Sequence, residues 1–329
     1  MSIFYHIDIP GAYKIHRSSV SIKSMIAFLR STHYRPSIKV RQDLQPGSWL
    51  RCERPSEEEL QQLIALGVDA DILHDSLDPH EVPRVESEGD WSYFITRLPD
   101  TDDNFNDFTT PMLFALGREH MVTVSRDSLG RLWQPFIDKV QAPTTQKTKL
   151  FMLMLDAIIR QYSTRVSSIN RQMRAATSDV RNLRPREIAI FVEYERKLND
   201  YLDALIPTNT SVEKILNGKL LPLYEDDRDL AEDLSIDLEQ LISRCKSLLR
   251  TITNVRDSYR AVMDTRLNET MRILTVITLA LTIPTMMAGL FGMNVDLPVN
   301  PDSPGVFWFI VALSAAAATS LSLYFMRKR

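Results

Sequence analysis

The chain has 329 residues, of which 44% are hydrophobic and 25% charged, and a formal net charge of -3. Nearly balanced charge without a basic patch or a stacking motif argues against nucleic acid as a partner. Two distant cysteines, Cys52 and Cys245, scattered histidines and no phosphate-binding glycine loop or nucleophile–base pair argue against a zinc centre, a disulfide framework and an enzyme.

Short β-like runs dominate first, at residues 3–9, 49–52, 91–98, 111–116 and 121–124. The last two flank Gly117-Arg118-Glu119-His120, which predicts a hairpin. A helix starts at Ser56, with Glu59 three residues on to complete a capping box, and stops at Gly67. From 148 to about 181, and from 185 to about 217, charged residues interleave with Leu and Ile in a helical pattern. An acidic loop at 225–229 then leads into a stalk. From Ser235 to Ile283 there is no Gly or Pro, so stalk and first apolar segment read as one helix, about 90 Å long if carried to Met293.

Residues 273–293 and 305–326 each carry no charge and are long enough to cross about 30 Å of hydrocarbon. Arg266, Arg272 and Arg327-Lys328-Arg329 flank them on one side, whereas the connecting loop holds only Asp296 and Asp302. The positive-inside rule places both termini in the cytoplasm. The second segment is rich in small residues, Ala312, Ser314 and Ala315 to Ala318, with Phe307, Trp308 and Tyr324 at its ends, which suits packing and interfacial anchoring. The expected class is an α+β membrane protein. Its parts are a cytosolic α/β domain (1–145), a cytosolic helical region (146–233), a stalk helix continuing into the first transmembrane helix (234–294), an external loop (295–304), a second transmembrane helix (305–326) and a basic tail (327–329).

Alternating steps of four and three from Asp257 reach Ala261, Asp264, Asn268, Met271, Thr275, Thr278, Thr282, Thr285, Gly289 and Gly292. An ordinary coiled coil places Leu, Ile or Val on such a seam, and a lone helix in lipid does not gather hydroxyls on one face. Other faces carry Ile273, Val276, Ile277, Ala280, Ile283 and Met287, which suit lipid or a second ring of helices. Any single threonine is explained by a bond to the carbonyl one turn back. Four on one stripe, continued by Asn268, Asp264 and Asp257 below and by glycines above, point to a symmetric bundle around a wet axial pore. Pro284 cannot donate to Ala280, whose carbonyl is tolerable beside a wet lumen or a partner helix.

Asn268-Glu269, the run to Ala288-Gly289-Leu290-Phe291 and Gly292-Met293-Asn294 resemble the signature of the CorA family of magnesium and divalent-cation channels. So do Asp257-Ser258-Tyr259 and Pro83-Arg84-Val85-Glu86. Phe291 stands where the family pattern usually has Tyr. The resemblance implies a funnel-shaped homopentamer in the cell membrane, in contact with the lipid bilayer and with divalent cations. It implies a selectivity filter at Gly292, Met293 and Asn294, and a pore lined by Asp257, Asn268, Met271, Leu274, Thr278, Thr282 and Thr285, with Leu274 bordering the seam beside Thr275. It further implies Mg²⁺ both as cargo and as a cytosolic regulator held by Asp75 and Asp233 between neighbouring subunits. Without the family, those two aspartates read as solvated surface.

The chemistry is consistent with this. Mg²⁺ releases water reluctantly, so a selective mouth binds the hydrated ion, and a ring of Asn294 carbonyls accepts from that water without the tight trapping of carboxylates. A helix C-cap accounts equally well for Gly and Asn taken alone. Movement of two charges through 100 mV releases about 4.6 kcal/mol, so no fuel is needed. Many relatives have Met at the position of Thr282, which shifts gating toward Leu274 and Met271. Selectivity stays open. Val295-Asp296-Leu297-Pro298 replaces an acidic Met-Pro-Glu-Leu stretch common among magnesium relatives. Zn²⁺ or broad divalent transport, with or without proton coupling, is the alternative within the family, and a membrane-anchored sensor or scaffold is the alternative outside it.

Overall fold

The computed structural model describes residues 26–32, 35–41, 44–101, 107–129, 143–177, 183–218, 220–221, 223–293 and 304–327. The strand expected at 3–9, Asn294 and most of the external loop lie outside these residues. Seven strands form one sheet: β1 (Ile26–Thr32), β2 (Arg35–Arg41), β3 (Trp49–Glu53), β4 (Arg84–Glu88), β5 (Trp91–Thr101), β6 (Asp107–Leu116) and β7 (Met121–Ser125). Their order is β2-β1-β3-β7-β6-β5-β4, with β3 and β7 parallel and every other pair antiparallel. β6 and β7 form the expected hairpin, closed by the Gly117 N–H donating to the His120 carbonyl at 2.9 Å.

Strand alternation sends side chains to both faces. Leu50, Cys52, Tyr93, Ile95, Leu113, Ala115, Val122 and Val124 join Leu63, Val68, Ile72 and Leu73 in one core against α1 (Glu57–Ala65) and α2 (Ala70–Asp75). The alternate residues Phe94 and Phe114 meet Phe151 of α3 (Lys147–Ala176) edge to face, with ring centroids 5.0 and 5.1 Å apart. Thr96 bonds Thr208 of α4 (Pro185–Leu216) at 2.9 Å. Central strands covered on both faces lose the one-sided polar alternation, which explains the unbroken burial of β7.

Local chemistry sets the helix ends. At α1 the Glu59 N–H donates to Ser56 Oγ and the Ser56 N–H donates to Glu59 Oε2, completing the capping box. Gly67 then turns back with φ +91°, a conformation that favours glycine. The acidic stretch 225–229 is helical rather than a loop: Glu225, Asp226 and Asp227 form the first turn of α5 (Glu225–Phe291), where negative charge opposes the helix dipole. α6 (Pro304–Arg327) is the second long apolar helix, and both it and α5 are long and apolar enough to cross a membrane.

Two compact units emerge, one of residues up to Ala175 with Ala189–Arg250, the other of Ala176–Ile188 with Thr251–Arg329. The first contains the sheet and the helices packed on it. Along α5, Ala231, Leu234, Leu238, Leu241, Cys245, Leu248, Ile252 and Val255 are all buried, a regular three-four stripe whose transfer from water supplies the drive for folding this helix onto its own chain.

Candidate functional site

The second part of α5 carries the predicted seam, and every one of its positions is exposed: Asp257, Ala261, Asp264, Asn268, Met271, Thr275, Thr278, Thr282, Thr285, Gly289 and Gly292. Asp257 lies two residues past Val255, about 200° around the helix, so seam and buried stripe face roughly opposite ways. In the membrane segment, Val276, Ala280, Ile283 and Met287, which continue the stripe's three-four spacing, are half-buried. Leu274, beside the seam, is exposed. Arg272 donates to the Phe325 carbonyl near the end of α6, which joins the start of one apolar helix to the end of the other.

Each seam threonine bonds the carbonyl one turn back at 2.8 Å: Thr275 to Met271, Thr278 to Leu274, Thr282 to Thr278 and Thr285 to Leu281. The bond is not special to the seam, because Thr265 and Thr270 make it too. Pro284 sits inside the helix and gives no N–H to Ala280.

At the upper end α5 stops at Phe291 and the Gly292 N–H donates to the Ala288 carbonyl at 2.9 Å. A Cβ at Gly292 would lie 3.0 Å from that same carbonyl oxygen, so the turn is tightest with glycine. Gly289 faces open space in the single chain. Met293 is exposed, and Asn294 is outside the described residues. At the lower end Asp257 pairs with Arg260 at 3.6 Å, an exposed contact of little energetic weight.

Asp75 and Asp233 do not meet within one chain among the described contacts. Asp75 closes α2, half-exposed, and its carboxylate accepts from Arg84 Nη2 at 2.8 Å. Arg84 also engages Glu81 and Glu86, so one guanidinium serves three carboxylates. Asp233 is exposed on α5 between the buried Ala231 and Leu234. Among the described residues no three His, Cys, Asp or Glu side chains form a metal-binding group. Cys52 and Cys245 are free and buried, and burial pushes both thiols up to about 12.

Sequence reasoning missed the Arg84 hub and a groove of about 770 Å³ lined by His80, Glu81, Arg97, Asp200, Asp203 and Ile206. Arg97 gives Nε to Thr109 Oγ1, Nη1 to the Glu81 carbonyl and Nη2 to the Thr109 carbonyl, tying the segment after α2 to β6. Its signal in the sequence is only the single basic residue of β5.

Comparison with known proteins adds independent observations. Residues 45–329 match the family model described as CorA-like Mg2+ transporter protein. The cobalt/magnesium transport protein CorA of Methanocaldococcus jannaschii is 26% identical over 272 residues, covering 80% of this chain and 85% of that protein. The complete structure of the CorA magnesium transporter from the same organism superposes with a TM-score of 0.79 at 20% identity, covering 94% of this chain and 99% of the other. The cytoplasmic domain of ZntB from Vibrio parahaemolyticus shares the soluble fold, with a TM-score of 0.62 at 11% identity, covering 73% of this chain and 98% of that one. With the family model matched from the third strand to the last residue, the chain belongs to the CorA-like Mg2+ transporter family.

Proposed function

We propose that five copies of this chain surround an axial pore for divalent cations, with Mg²⁺ as the principal cargo and Co²⁺ and Ni²⁺ as further ones. The observation that carries this reading is the polar seam of α5, whose positions from Asp257 to Gly292 are all exposed on the single chain, while Val276, Ala280, Ile283 and Met287 are half-buried. A polar stripe on a membrane helix costs free energy in lipid, and symmetry turns it into a lumen. Hydrated cation enters through Gly292, Met293 and Asn294, descends past Thr285, Thr282, Thr278 and Thr275, meets its narrowest point at Leu274 and Met271, and leaves past Asn268 and Asp257. The membrane is the cell membrane, with both termini cytoplasmic as the flanking arginines require.

Gating rests on Asp75 and Asp233 from neighbouring subunits holding cytosolic Mg²⁺ and stabilising the closed state by its differential affinity. The Arg84 contact bears on this directly, since a metal ion must compete with a guanidinium for Asp75. Zn²⁺ transport is the second reading, favoured by the external loop that lacks the acidic stretch of magnesium relatives and by the fold shared with ZntB. Uptake of Mg²⁺, Co²⁺, Ni²⁺ and Zn²⁺ into liposomes holding the purified protein, with and without a pH gradient, tests both. Zn²⁺ flux above Mg²⁺ flux selects the second reading, and absence of any divalent flux leaves a tether.

A further inference from the structure

In the proposed assembly a metal ion at each boundary ties Asp75 of one subunit to Asp233 of the next, so every chain is held at two points. A ring of such bridges fixes the spacing of the stalks only if each chain keeps its own Asp75 and Asp233 in a fixed relation. Asp75 closes α2 and Asp233 lies on α5, and what stands between them is β4, β5 and α4. Arg84 of β4 holds Asp75 at 2.8 Å, β4 pairs with β5 where Arg84 lies opposite Ile95, and Arg97 of β5 gives Nη1 to the Glu81 carbonyl at 2.9 Å. Thr96, between Ile95 and Arg97, reaches Thr208 of α4 at 2.9 Å. On the next residue of α4, Asn209 Oδ1 accepts from Ser235 Oγ at 3.2 Å, and Ser235 is two positions along α5 from Asp233.

Hydrogen positions make these contacts directional. Thr208 Oγ1 donates its one hydrogen to the Ala204 carbonyl at 2.8 Å, so in the threonine pair Thr96 is the donor and Thr208 the acceptor. Asn209 gives Nδ2 to Glu213 Oε1 at 2.7 Å, which leaves its side-chain oxygen for Ser235. Thr96, Thr208 and Asn209 are buried, and a buried polar group that loses its partner finds no water to replace it. Apolar contacts are non-directional and let a helix shift; these ties do not. They sit just after Pro207, which gives no N–H to Asp203, so α4 is held from two sides where its own ladder lacks a donor.

We infer that α4 is the strut of the sensor: through Thr96–Thr208 and Asn209–Ser235 it fixes the sheet to the stalk of the same chain, and so lets metal bridges between subunits hold the stalks in the closed arrangement. This rests on the proposed sensor role of Asp75 and Asp233. The four tie residues touch no metal and are positioning residues.

Flux of Mg²⁺ into liposomes carrying the purified full-length protein is measured at graded internal Mg²⁺, and the melting temperature of the solubilised particle with and without saturating Mg²⁺. Thr96→Val with Thr208→Val removes both hydroxyls of one tie and keeps the shape, a paired change that is nearly neutral for stability. Ser235→Ala removes the other tie at a half-buried site. The triple variant needs about tenfold more internal Mg²⁺ for half-inhibition, the size of one or two net hydrogen bonds, while saturating Mg²⁺ still raises its melting temperature. Ser235→Ala alone shifts half-inhibition about threefold and decides the matter should the triple variant fail to assemble. Thr123→Val is the control, because it removes a buried 2.9 Å bond from Trp49 Nε1 elsewhere in the same sheet; its inhibition stays at the wild-type level. A wild-type inhibition curve in the tie variants overturns the strut, and so does an equal shift in Thr123→Val. Loss of the Mg²⁺-dependent rise in melting temperature also overturns it, since the ties would then build the metal site and not connect two of them. Asp75→Asn with Asp233→Asn separates the readings: if that variant alone escapes inhibition, the sensor stands without the strut, and if it is inhibited like wild type, both fall.

Discussion

From Ala231 to Val255, α5 turns a stripe of leucines into its own chain, whereas from Asp257 to Gly292 it holds a polar seam away from it. Both stripes have the same three-four spacing on one helix. Spacing therefore sets which residues share a face, and chemistry sets what becomes of it: apolar residues at that interval are sealed by the protein's own fold, and threonine, asparagine and aspartate at that interval stay exposed on the single chain, as the proposed assembly around a pore would use them. The proposed pore uses both, a stripe that anchors each helix and a seam that leaves each helix incomplete.

The contrast can be broken most severely at the top of the seam. Asn294→Ala or Asn294→Asp is expected to abolish or strongly impair Mg²⁺ uptake while the assembled particle keeps its mass. Undiminished uptake in either variant removes Asn294 from the pathway.

On the stripe, Leu238 is fully buried, and Leu238→Ala should destabilise the folded protein by about 2–5 kcal/mol in denaturant unfolding. Asp264→Ala, on the exposed seam, should change stability by no more than about 0.5 kcal/mol. Comparable losses from the two would mean that the seam is a second core and not a lumen.

Flux separates adjacent residues. Thr282→Met restores the bulk that relatives carry and should lower basal flux through easier dewetting. Ile283→Met, one residue on and half-buried, roughly conserves volume and should be nearly silent. If the two variants lose flux equally, the register of the seam is wrong.

Regulation offers a smaller effect. Replacing Asp75 and Asp233 together by Asn should move the internal Mg²⁺ concentration at which flux is inhibited. Arg84→Gln, which frees Asp75 from its 2.8 Å partner, should move inhibition to lower Mg²⁺. An inhibition curve identical to wild type in both variants assigns these residues to ordinary surface.

Chemical labelling gives the finest contrast. Thiol reagents attack the thiolate, and burial holds the Cys52 and Cys245 thiols near 12, so the wild-type protein should stay unlabelled at pH 8. Thr282→Cys should be labelled in the same buffer. Labelling of Cys245 in the folded protein would show that the stripe opens.

The two long apolar helices, the capping box at Ser56 and the β6–β7 hairpin were legible because each depends on residues close in sequence or on a strict period. The terminal tripeptide carried the family. Strands β1, β2 and β4 and the short α2 were not legible because their residues alternate imperfectly, and the sheet order was not legible because it joins strands far apart in sequence, as when β3 pairs in parallel with β7. The first turn of α5 was misread because Glu225, Asp226 and Asp227 suit a solvated loop as well as a helix N-terminus. The Arg84 hub was invisible for the same reason as the sheet order. Asp75 and Arg84 are nine residues apart and meet only once α2 and β4 are both in place.

The backward bonds of the threonines also bear on the mechanics of the membrane segment. The carbonyls of Met271, Leu274, Thr278 and Leu281 each accept a hydroxyl in addition to their place in the helical ladder, and the Ala280 carbonyl receives nothing from Pro284. Shared acceptors and a missing donor weaken a helix locally and let it bend. Ser258, Thr265 and Thr270 make the same bond lower on α5, so the missing donor at Pro284 sets the upper stretch apart, and α5 should be most compliant there. The stretch proposed to form the wet wall is thus also the pliant one.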